Sequence, residues 1–162
     1  MRKGPNGALD RIDRTILARL QEDARVTAEA IATKVGLSPA AVQRRIKRLR
    51  ETNIIAREIA VVEPTAVGQA MTFIVSVELD REHQTDIDSF RRAIRAESRI
   101  QQCYQVTGST DFVLVVIARD MPDFETFARR ALYENPNVLR FTTQVVMNRV
   151  KVGLTVPIKD GA

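Results

Sequence analysis

The sequence has little of the chemistry from which disulfides and metal sites are built. It contains one cysteine, Cys103, and one histidine, His83, among 162 residues. One cysteine cannot form an internal disulfide, and these two side chains do not supply the ligand set of a metal site. We therefore expect neither a metal nor a cofactor, and we interpret Cys103 as a strand residue and His83 as a loop residue.

Long apolar runs are also missing. The longest, Phe112–Ala118, has seven residues, whereas a membrane-spanning helix needs roughly 20. The basic segment formed by residues 1–8 lacks the apolar stretch of about 7 to 15 residues that a secretory signal requires. The sequence therefore predicts a cytoplasmic protein that does not cross a membrane.

What the sequence does have is an uneven distribution of charge. Residues 1–63 contain 13 Lys and Arg against 8 Asp and Glu, whereas residues 64–162 contain 12 of each. The formal net charge of +5 therefore lies entirely in the first part, as in a domain that binds a polyanion. Residues 34–50 carry six cations and no acid, although such a run also occurs on solvated helix faces.

Helices with recognisable ends are predicted in this basic part. Asp10 is an N-cap residue with Asp13 three residues further on, and apolar residues follow at helical spacing. A second, shorter helix begins at Thr27 and ends at Gly36, a residue that suits the left-handed position after a helix.

A third helix follows after a tight turn, with Ser38 as N-cap and Pro39 at the first helical position. Two helices joined by a Gly-containing turn form the helix-turn-helix pattern. Projected at about 100° per residue, the third helix has an apolar side and an opposite polar and basic side. Small Ala40 allows close approach to a groove, Gln43 can bond base edges, and Arg44 can pair with guanine or phosphate. The alternative is a solvated helix in a small bundle.

After the third helix, the residues from Ile54 to Val62 predict a wing strand, which Glu63 and Pro64 end. Arg57 in this strand would contact a phosphate or lie on an edge strand. We therefore assign residues 1–63 to a winged helix-turn-helix DNA-binding domain, 64–70 to a linker and 71–162 to a second domain. The predicted DNA-contacting residues are Ser38, Pro39, Ala40, Gln43, Arg44, Lys47, Arg48 and Arg57.

Apolar residues of the second domain follow the spacing of strands and of helices in alternating segments. Strands are predicted over 71–79, 100–107, 111–118 and 138–147, with one helix over 87–97 and another near Pro122. The order βαββαβ is the ferredoxin-like arrangement, so the fold class is α+β. Both faces of the third strand are apolar, whereas two helices cover only one face of a sheet. The other face is expected to pack against a second copy, giving a homodimer.

The hairpin loop Thr107-Gly108-Ser109-Thr110-Asp111 offers a flexible backbone, three hydroxyl groups and a carboxylate. Asp111 would face an ammonium group and the N–H groups around Gly108 a carboxylate, so the loop suits a small zwitterion. The same residue types are ordinary turn formers, and a plain turn is the alternative.

Over nearly its whole length the chain resembles the Lrp/AsnC, or feast/famine, family of transcriptional regulators. The motifs are LDRIDRTILARLQ from Leu9, VGLSP from Val35, and Val106-Thr107-Gly108 with Asp111. The resemblance implies a winged helix-turn-helix that binds double-stranded DNA through residues 38–50. It also implies an Lrp-type (RAM) domain that forms dimers, assembles further, often to octamers, and binds an amino-acid effector between dimers.

By position, the resemblance places the effector on the loop 107–111, with Tyr104, Met121 and the strand around 144–146 nearby. Many members have Gly-Asp-x-Asp in this loop. Here Ser109 replaces the first acid, which argues against assuming leucine as the effector. The implied effector-binding residues are Tyr104, Thr107, Gly108, Ser109, Thr110, Asp111, Met121, Gln144, Val145 and Val146.

Two other functions are compatible with the same fold. An architectural DNA-binding protein would use the second domain only to dimerise. An enzyme resembling the decarboxylases of sirohaem would need His and Arg in a pocket, but the one histidine, His83, falls in a predicted loop. The third helix is intact and basic, so we expect a regulator that is not an enzyme.

Overall fold

The computed structural model describes residues 9–80 and 84–158, with the backbone alone over 84–86. The chain divides into two compact units. Of the described residues, the first comprises 9–60 and 152–158, and the second comprises those between Val61 and Lys151. In the described ranges no helix is both long enough and apolar enough to cross a bilayer. His83 lies outside the described residues.

Three helices build the first unit, α1 (Arg11–Glu22), α2 (Ala28–Val35) and α3 (Pro39–Glu51). They begin where the sequence predicts, because the side chains of Asp10, Thr27 and Ser38 each accept the backbone N–H of the third residue on. Their apolar stripes meet in one core, formed by Ile16, Ile31, Ala32, Val42, Ile46 and Leu49.

A left-handed glycine makes the turn between α2 and α3. Gly36 has φ of 67° and ψ of 35°, and its N–H donates to the carbonyl oxygen of Ala32 at 3.0 Å. Ser38 then caps α3, and Pro39 occupies its first position. This geometry confirms the predicted helix-turn-helix.

The wing strand predicted over residues 54–62 does not form in this chain. The backbone N–H of Ile55 donates to the carbonyl oxygen of Leu49 at 3.0 Å, which ends α3. Residues 56–63 then continue without pairing to any strand in the described part of the chain. Alternating residues form a strand only where another strand edge accepts their hydrogen bonds. Arg57 is therefore exposed on an unpaired connection.

The residues after Lys151 return to the first unit. Gln21 Nε2 donates to the carbonyl oxygen of Val156 at 3.0 Å, and Gln21 Oε1 accepts the N–H of Val156 at 2.7 Å. The sequence assigned this tail to the second domain, whereas the structure packs it with the helices. The chain therefore passes between the units twice, after Ala60 and after Lys151.

The second unit has the order βαββαβ, with β1 (Met71–Leu79), α4 (Gln84–Ala96), β2 (Ile100–Gln105), β3 (Phe112–Ala118), α5 (Met121–Ala128) and β4 (Val138–Val145). A 3-10 helix, Pro64–Val67, precedes β1, and a π-helical turn, Arg129–Tyr133, extends α5. All neighbouring strands are antiparallel in the order β2-β3-β1-β4, which confirms the ferredoxin-like prediction.

Several predicted strands extend beyond the observed ones. β2 ends at Gln105 and β3 begins at Phe112, because the N–H of Val106 donates to the carbonyl oxygen of Asp111 at 2.9 Å and closes the hairpin loop. β4 ends at Val145, two residues before the predicted end. Cys103 lies on β2, as predicted.

The two faces of the sheet differ in their surroundings. On the inner face, side chains such as Leu114 pack with Phe127 and other residues of α4 and α5 in the main core. On the outer face, Val113, Val115 and Ile117 alternate with these buried residues, lie outside that core and are only half-buried. The expectation that both faces of β3 are apolar while the helices cover one is confirmed.

Candidate nucleic-acid interface and ligand loop

Helix α3 has two chemically different sides. Val42, Ile46 and Leu49 are buried in the core of the first unit and fix the helix in place. The opposite side is exposed, as the helical projection predicts. We name as the reading face its four residues Ala40, Gln43, Arg44 and Lys47. Ser38, Pro39 and Arg48 are exposed beside it.

The cations of α3 have different partners. Arg45 and Arg48 donate to carboxylates of α1. Lys47 lies 3.8 Å from Glu51, and both side chains are exposed, so this pair contributes little to stability. Arg44 has no ion-pair partner among the residues that the structure describes. The positive charge of the reading face therefore comes from Arg44 and Lys47.

A buried carboxylate of α1 holds Arg45 and Arg48, whereas Arg50 pairs with Glu58 at 2.9 Å. Asp13, which is 1% exposed, accepts Arg45 Nη1 at Oδ1 at 2.9 Å and Arg48 Nη2 at Oδ2 at 2.5 Å. Arg45 Nη1 also donates to Asp10 Oδ2 at 2.6 Å. The backbone N–H of Asp13 and the Arg45 guanidinium lower the pKa of Asp10, and Asp10 and Asp13 raise the pKa of Arg45.

The sequence interpretation missed this cluster, although a signal for it was present. Asp10 and Asp13 were interpreted as a helix cap, and they do form a capping box, with N–H to carboxylate distances of 2.7 and 3.4 Å. Arg45 and Arg48 are three residues apart, so they share one face of α3. An acidic pair and a basic pair with the same spacing on two packed helices indicate an ion cluster.

Asp111, the predicted ammonium partner, is part of the sheet structure. Its Oδ2 accepts the N–H of Leu79 at 2.8 Å, and its own N–H donates to the carbonyl oxygen of Val77 at 2.9 Å. Gly108 has φ of 114°, a conformation that favours glycine. The loop 107–111 is therefore held against the end of β1 by Asp111.

The predicted effector residues form two groups at opposite ends of the sheet. The loop 107–111 lies beside Leu79, at the end of β1. Met121 follows the other end of β3, and residues 144–146 lie beside Thr72, near the start of β1. The seven residues of β3 separate the two groups, and a strand rises about 3.4 Å per residue. A single chain therefore does not bring the two groups together.

Tyr104 and Gln144 also lie apart within one chain. Tyr104 pairs with Val113 on β2, and its side chain is 52% exposed. Gln144 pairs with Ile74 on β4. Val113 lies next to the loop at the start of β3, whereas Ile74 lies near the start of β1, so Tyr104 belongs with the loop group and Gln144 with the other group. The two residues are also on opposite edges of the sheet.

A second buried carboxylate, which the sequence interpretation also missed, organises the chain around the start of α5. Asp123 is 6% exposed and accepts Arg99 Nη2 at 2.8 Å, the N–H of Arg119 at 3.1 Å and Arg119 Nη2 at 3.2 Å. The N–H and guanidinium of Arg119 lower the pKa of Asp123. Asp120 caps α5 by accepting the N–H of Asp123 at 2.8 Å. These bonds fix the position of Met121.

Comparisons with known proteins agree with both halves of this description. The chain matches the AsnC-type helix-turn-helix domain over residues 9–50 and the Lrp/AsnC ligand-binding domain over residues 72–156. An HTH-type transcriptional regulator of Sinorhizobium fredii is 46% identical over 151 residues, covering 93% of this chain and 89% of the relative. The leucine-responsive regulatory protein of Escherichia coli is 32% identical over 158 residues, covering 98% and 96%.

Solved structures of transcriptional regulators are also similar to this chain. A transcriptional regulator from Neisseria meningitidis, in complex with L-methionine, superposes with a TM-score of 0.87 at 27% identity, covering 93% of this chain and 97% of that chain. An AsnC family regulator from Agrobacterium tumefaciens superposes with a TM-score of 0.85 at 27% identity, covering 91% and 96%. The resemblance found in the sequence is thus confirmed, and the chain belongs to the Lrp/AsnC family of helix-turn-helix transcriptional regulators.

Proposed function

We propose that this regulator binds specific DNA sequences by inserting α3 into the major groove. The observation that carries the proposal is the division of α3 into a buried apolar side and an exposed reading face. In the groove, Ala40 allows close approach, Gln43 bonds base edges such as those of adenine, and Arg44 pairs with guanine or phosphate. Lys47 adds a phosphate contact. The relatives of this chain are transcriptional regulators rather than enzymes, which supports this function.

We infer that two chains pack together through the outer faces of their sheets. Support comes from Val113, Val115 and Ile117, which form an apolar stripe outside the core. Contiguous apolar surface of this kind marks an interface. A dimer would present two copies of α3 to successive major grooves about 34 Å apart, and assembly of several dimers, up to an octamer, would bend or wrap DNA.

The substitution Arg44→Ala tests the role of α3. Binding is measured to a duplex from the region upstream of the protein's own gene and to a scrambled duplex. Loss of a base-reading guanidinium should weaken specific binding by about 1–3 kcal/mol and reduce discrimination between the two duplexes. Arg92→Ala, on the exposed surface of α4, removes the same charge from the second unit and serves as the control. Equal affinities of the Arg44→Ala and Arg92→Ala variants would show that Arg44 does not contact DNA.

We further propose that an amino acid is the effector and that two chains form its site. Three observations support this. The two groups of candidate residues lie at opposite ends of one sheet, the chain matches a ligand-binding domain, and the related Neisseria meningitidis regulator binds L-methionine. Asp111 would bind the ammonium group, and N–H groups around Gly108 would bind the carboxylate. The effector would act through different affinities for two assembly states.

Thermal unfolding in the presence of each of the twenty amino acids tests this site. A ligand at about 100 times its dissociation constant adds roughly 2.7 kcal/mol of stability. The shift should be lost in Asp111→Asn and kept in Asp88→Asn, which removes the same charge from an exposed position on α4. No shift with any amino acid would favour an architectural DNA-binding protein that uses its second unit only to assemble.

A further inference from the structure

Asp13 has an unusual position for an acidic residue in a basic DNA-binding unit. Its carboxylate is buried between α1 and α3, and both of its oxygens accept hydrogen bonds from arginines of α3. A buried carboxylate is costly unless it is fully paired. Here Arg45, which is 28% exposed in its side chain, and Arg48, which is 52% exposed, provide that pairing.

The cluster removes positive charge from the surface that faces DNA. Asp10 and Asp13 together carry two negative charges, and Arg45 and Arg48 carry two positive ones. The cluster is therefore neutral as a whole. Of the α3 cations, Arg44, Lys47 and Arg50 lie outside it, and Arg50 is paired with Glu58 at 2.9 Å.

The geometry of the cluster also fixes the rotation of α3 about its axis. Arg45 and Arg48 are one helical turn apart, and Asp13 holds both through separate oxygens. Two attachment points on one turn prevent the helix from rolling against α1. Because Gln43 and Arg44 directly precede Arg45, their direction toward the groove depends on this attachment.

We propose that Asp13 is a positioning residue that sets the ratio of specific to non-specific DNA binding. It orients the reading face and keeps the Arg45 and Arg48 guanidinium groups from binding phosphates, which are the same at every sequence. This inference rests on the proposed function, because it takes α3 to be the DNA-reading helix.

Asp13→Asn tests the proposal through the salt dependence of binding to a scrambled duplex. With the carboxylate charge gone, Arg48 becomes available to phosphate. The log–log salt slope should then steepen by about 0.9 for each new phosphate contact. Specific binding should weaken through the misplaced reading face, so the ratio of specific to non-specific affinity should fall by about tenfold.

Two further variants separate positioning from simple loss of fold. Glu22→Gln removes the same charge from α1 but breaks a pair with Arg19, at 2.7 Å, that does not involve α3. Its slope and ratio should match those of the wild type. Asp13→Asn combined with Arg48→Gln should return the slope toward the wild-type value, because Asp10 still holds Arg45 at 2.6 Å and the freed Arg48 guanidinium is gone. The specific affinity should stay low. Partial unfolding would not produce this reversal.

These measurements test the role of Asp13 separately from sequence-specific DNA binding. A wild-type protein that binds both duplexes equally would contradict sequence-specific binding itself. A wild-type protein that discriminates, combined with an Asp13→Asn variant that has the slope and ratio of Glu22→Gln, would overturn only the role of Asp13. If Asp13→Asn does not fold, Arg48→Gln alone is decisive. It should lower the specific affinity and leave the salt slope unchanged. A flatter slope would mean that Arg48 itself contacts phosphate, and either that result or an unchanged specific affinity would overturn the proposal.

Discussion

The side-chain amide of Gln21 and the backbone of Val156 exchange two hydrogen bonds, at 2.7 and 3.0 Å, across 135 positions of sequence. A primary amide matches the donor and acceptor of one peptide group, so this contact resembles one rung of a β-ladder. It attaches the tail to α1, the helix whose Asp13 holds α3. Both segments that connect the two units therefore lead to the helices of the first unit.

Gln21→Ala should destabilise the first unit by about 1 kcal/mol, since each exposed hydrogen bond contributes roughly 0.5–1.5 kcal/mol. Hydrogen exchange of the α1–α3 amides measures this loss. Gln43→Ala, the same substitution at an exposed position of α3, corrects for helix propensity. Truncation after Lys151 should cost at least as much, and Gln21→Ala should add nothing in the truncated chain. Additive effects in this double-mutant cycle would mean that the two residues do not interact.

Gly36→Ala should destabilise the first unit by about 1 kcal/mol, because φ of 67° disfavours a residue with a side chain. No atom lies within 4 Å of an added Cβ, so the cost is conformational and not steric. Gly153→Ala is the matched control: it also has open space at the Cβ position, and no left-handed φ. Hydrogen exchange should show a loss for Gly36→Ala only. Equal stability of both variants would contradict the turn geometry.

Acid should destabilise the second unit partly through Asp123. The pKa of this carboxyl is lowered from 3.8 in the folded chain. Its stabilising effect is therefore present above about pH 4 and is lost as the pH falls through the lowered pKa. Both tyrosines, Tyr104 and Tyr133, lie in the second unit and the chain has no tryptophan, so tyrosine fluorescence in urea reports on this unit.

Two substitutions on α5, each of which replaces a carboxylate with a neutral amide, test the contribution of Asp123 to the pH dependence. Asp123→Asn should be less stable than the wild type at neutral pH and should lose less stability between pH 5 and pH 3, values that span the ordinary pKa of 3.8. Glu125→Gln, at an exposed position of α5, should keep the pH dependence of the wild type. An Asp123→Asn variant with the wild-type pH dependence would show that Asp123 does not contribute to it.

Substitutions at two adjacent residues of β3 should affect different properties, one the stability of the fold and the other the association of two chains. Leu114→Ala empties a fully buried position and should cost about 2–5 kcal/mol of stability, seen by tyrosine fluorescence. Val115→Lys places a charge on the outer face of the sheet and should convert dimers to monomers in sedimentation velocity. A Val115→Lys variant with the mass of the wild-type assembly would contradict association through this face.

Features set by neighbouring residues were predictable from the sequence. Asp10 and Ser38 indicated helix starts because a capping side chain acts on an N–H group three residues away. The limits of β1, Met71 and Leu79, followed from the alternation that burial of one face imposes. The helical projection likewise separated Val42 from Arg44, since position on a helix depends only on spacing.

Features set by distant residues were not predictable in this way. Residues 54–62 have a strand-like pattern, but the described chain offers them no partner edge. Matched spacings on α1 and α3 hint at the bond between Asp13 and Arg48, but assigning it requires knowledge of which sides of the two helices face each other. Positional similarity named Met121 together with the loop 107–111 for a site between dimers, and in one chain the two lie at opposite ends of β3.

DNA binding through the reading face of α3 is tested most directly by the salt dependence of wild-type binding to the duplex upstream of the protein's own gene, measured beside a scrambled duplex. If the reading face of α3 binds DNA, log affinity should fall linearly with log salt, by about 0.9 for each phosphate contacted. The upstream duplex should also bind more tightly at every salt concentration. Binding that is independent of salt, or equal for the two duplexes, would contradict sequence-specific DNA binding by α3.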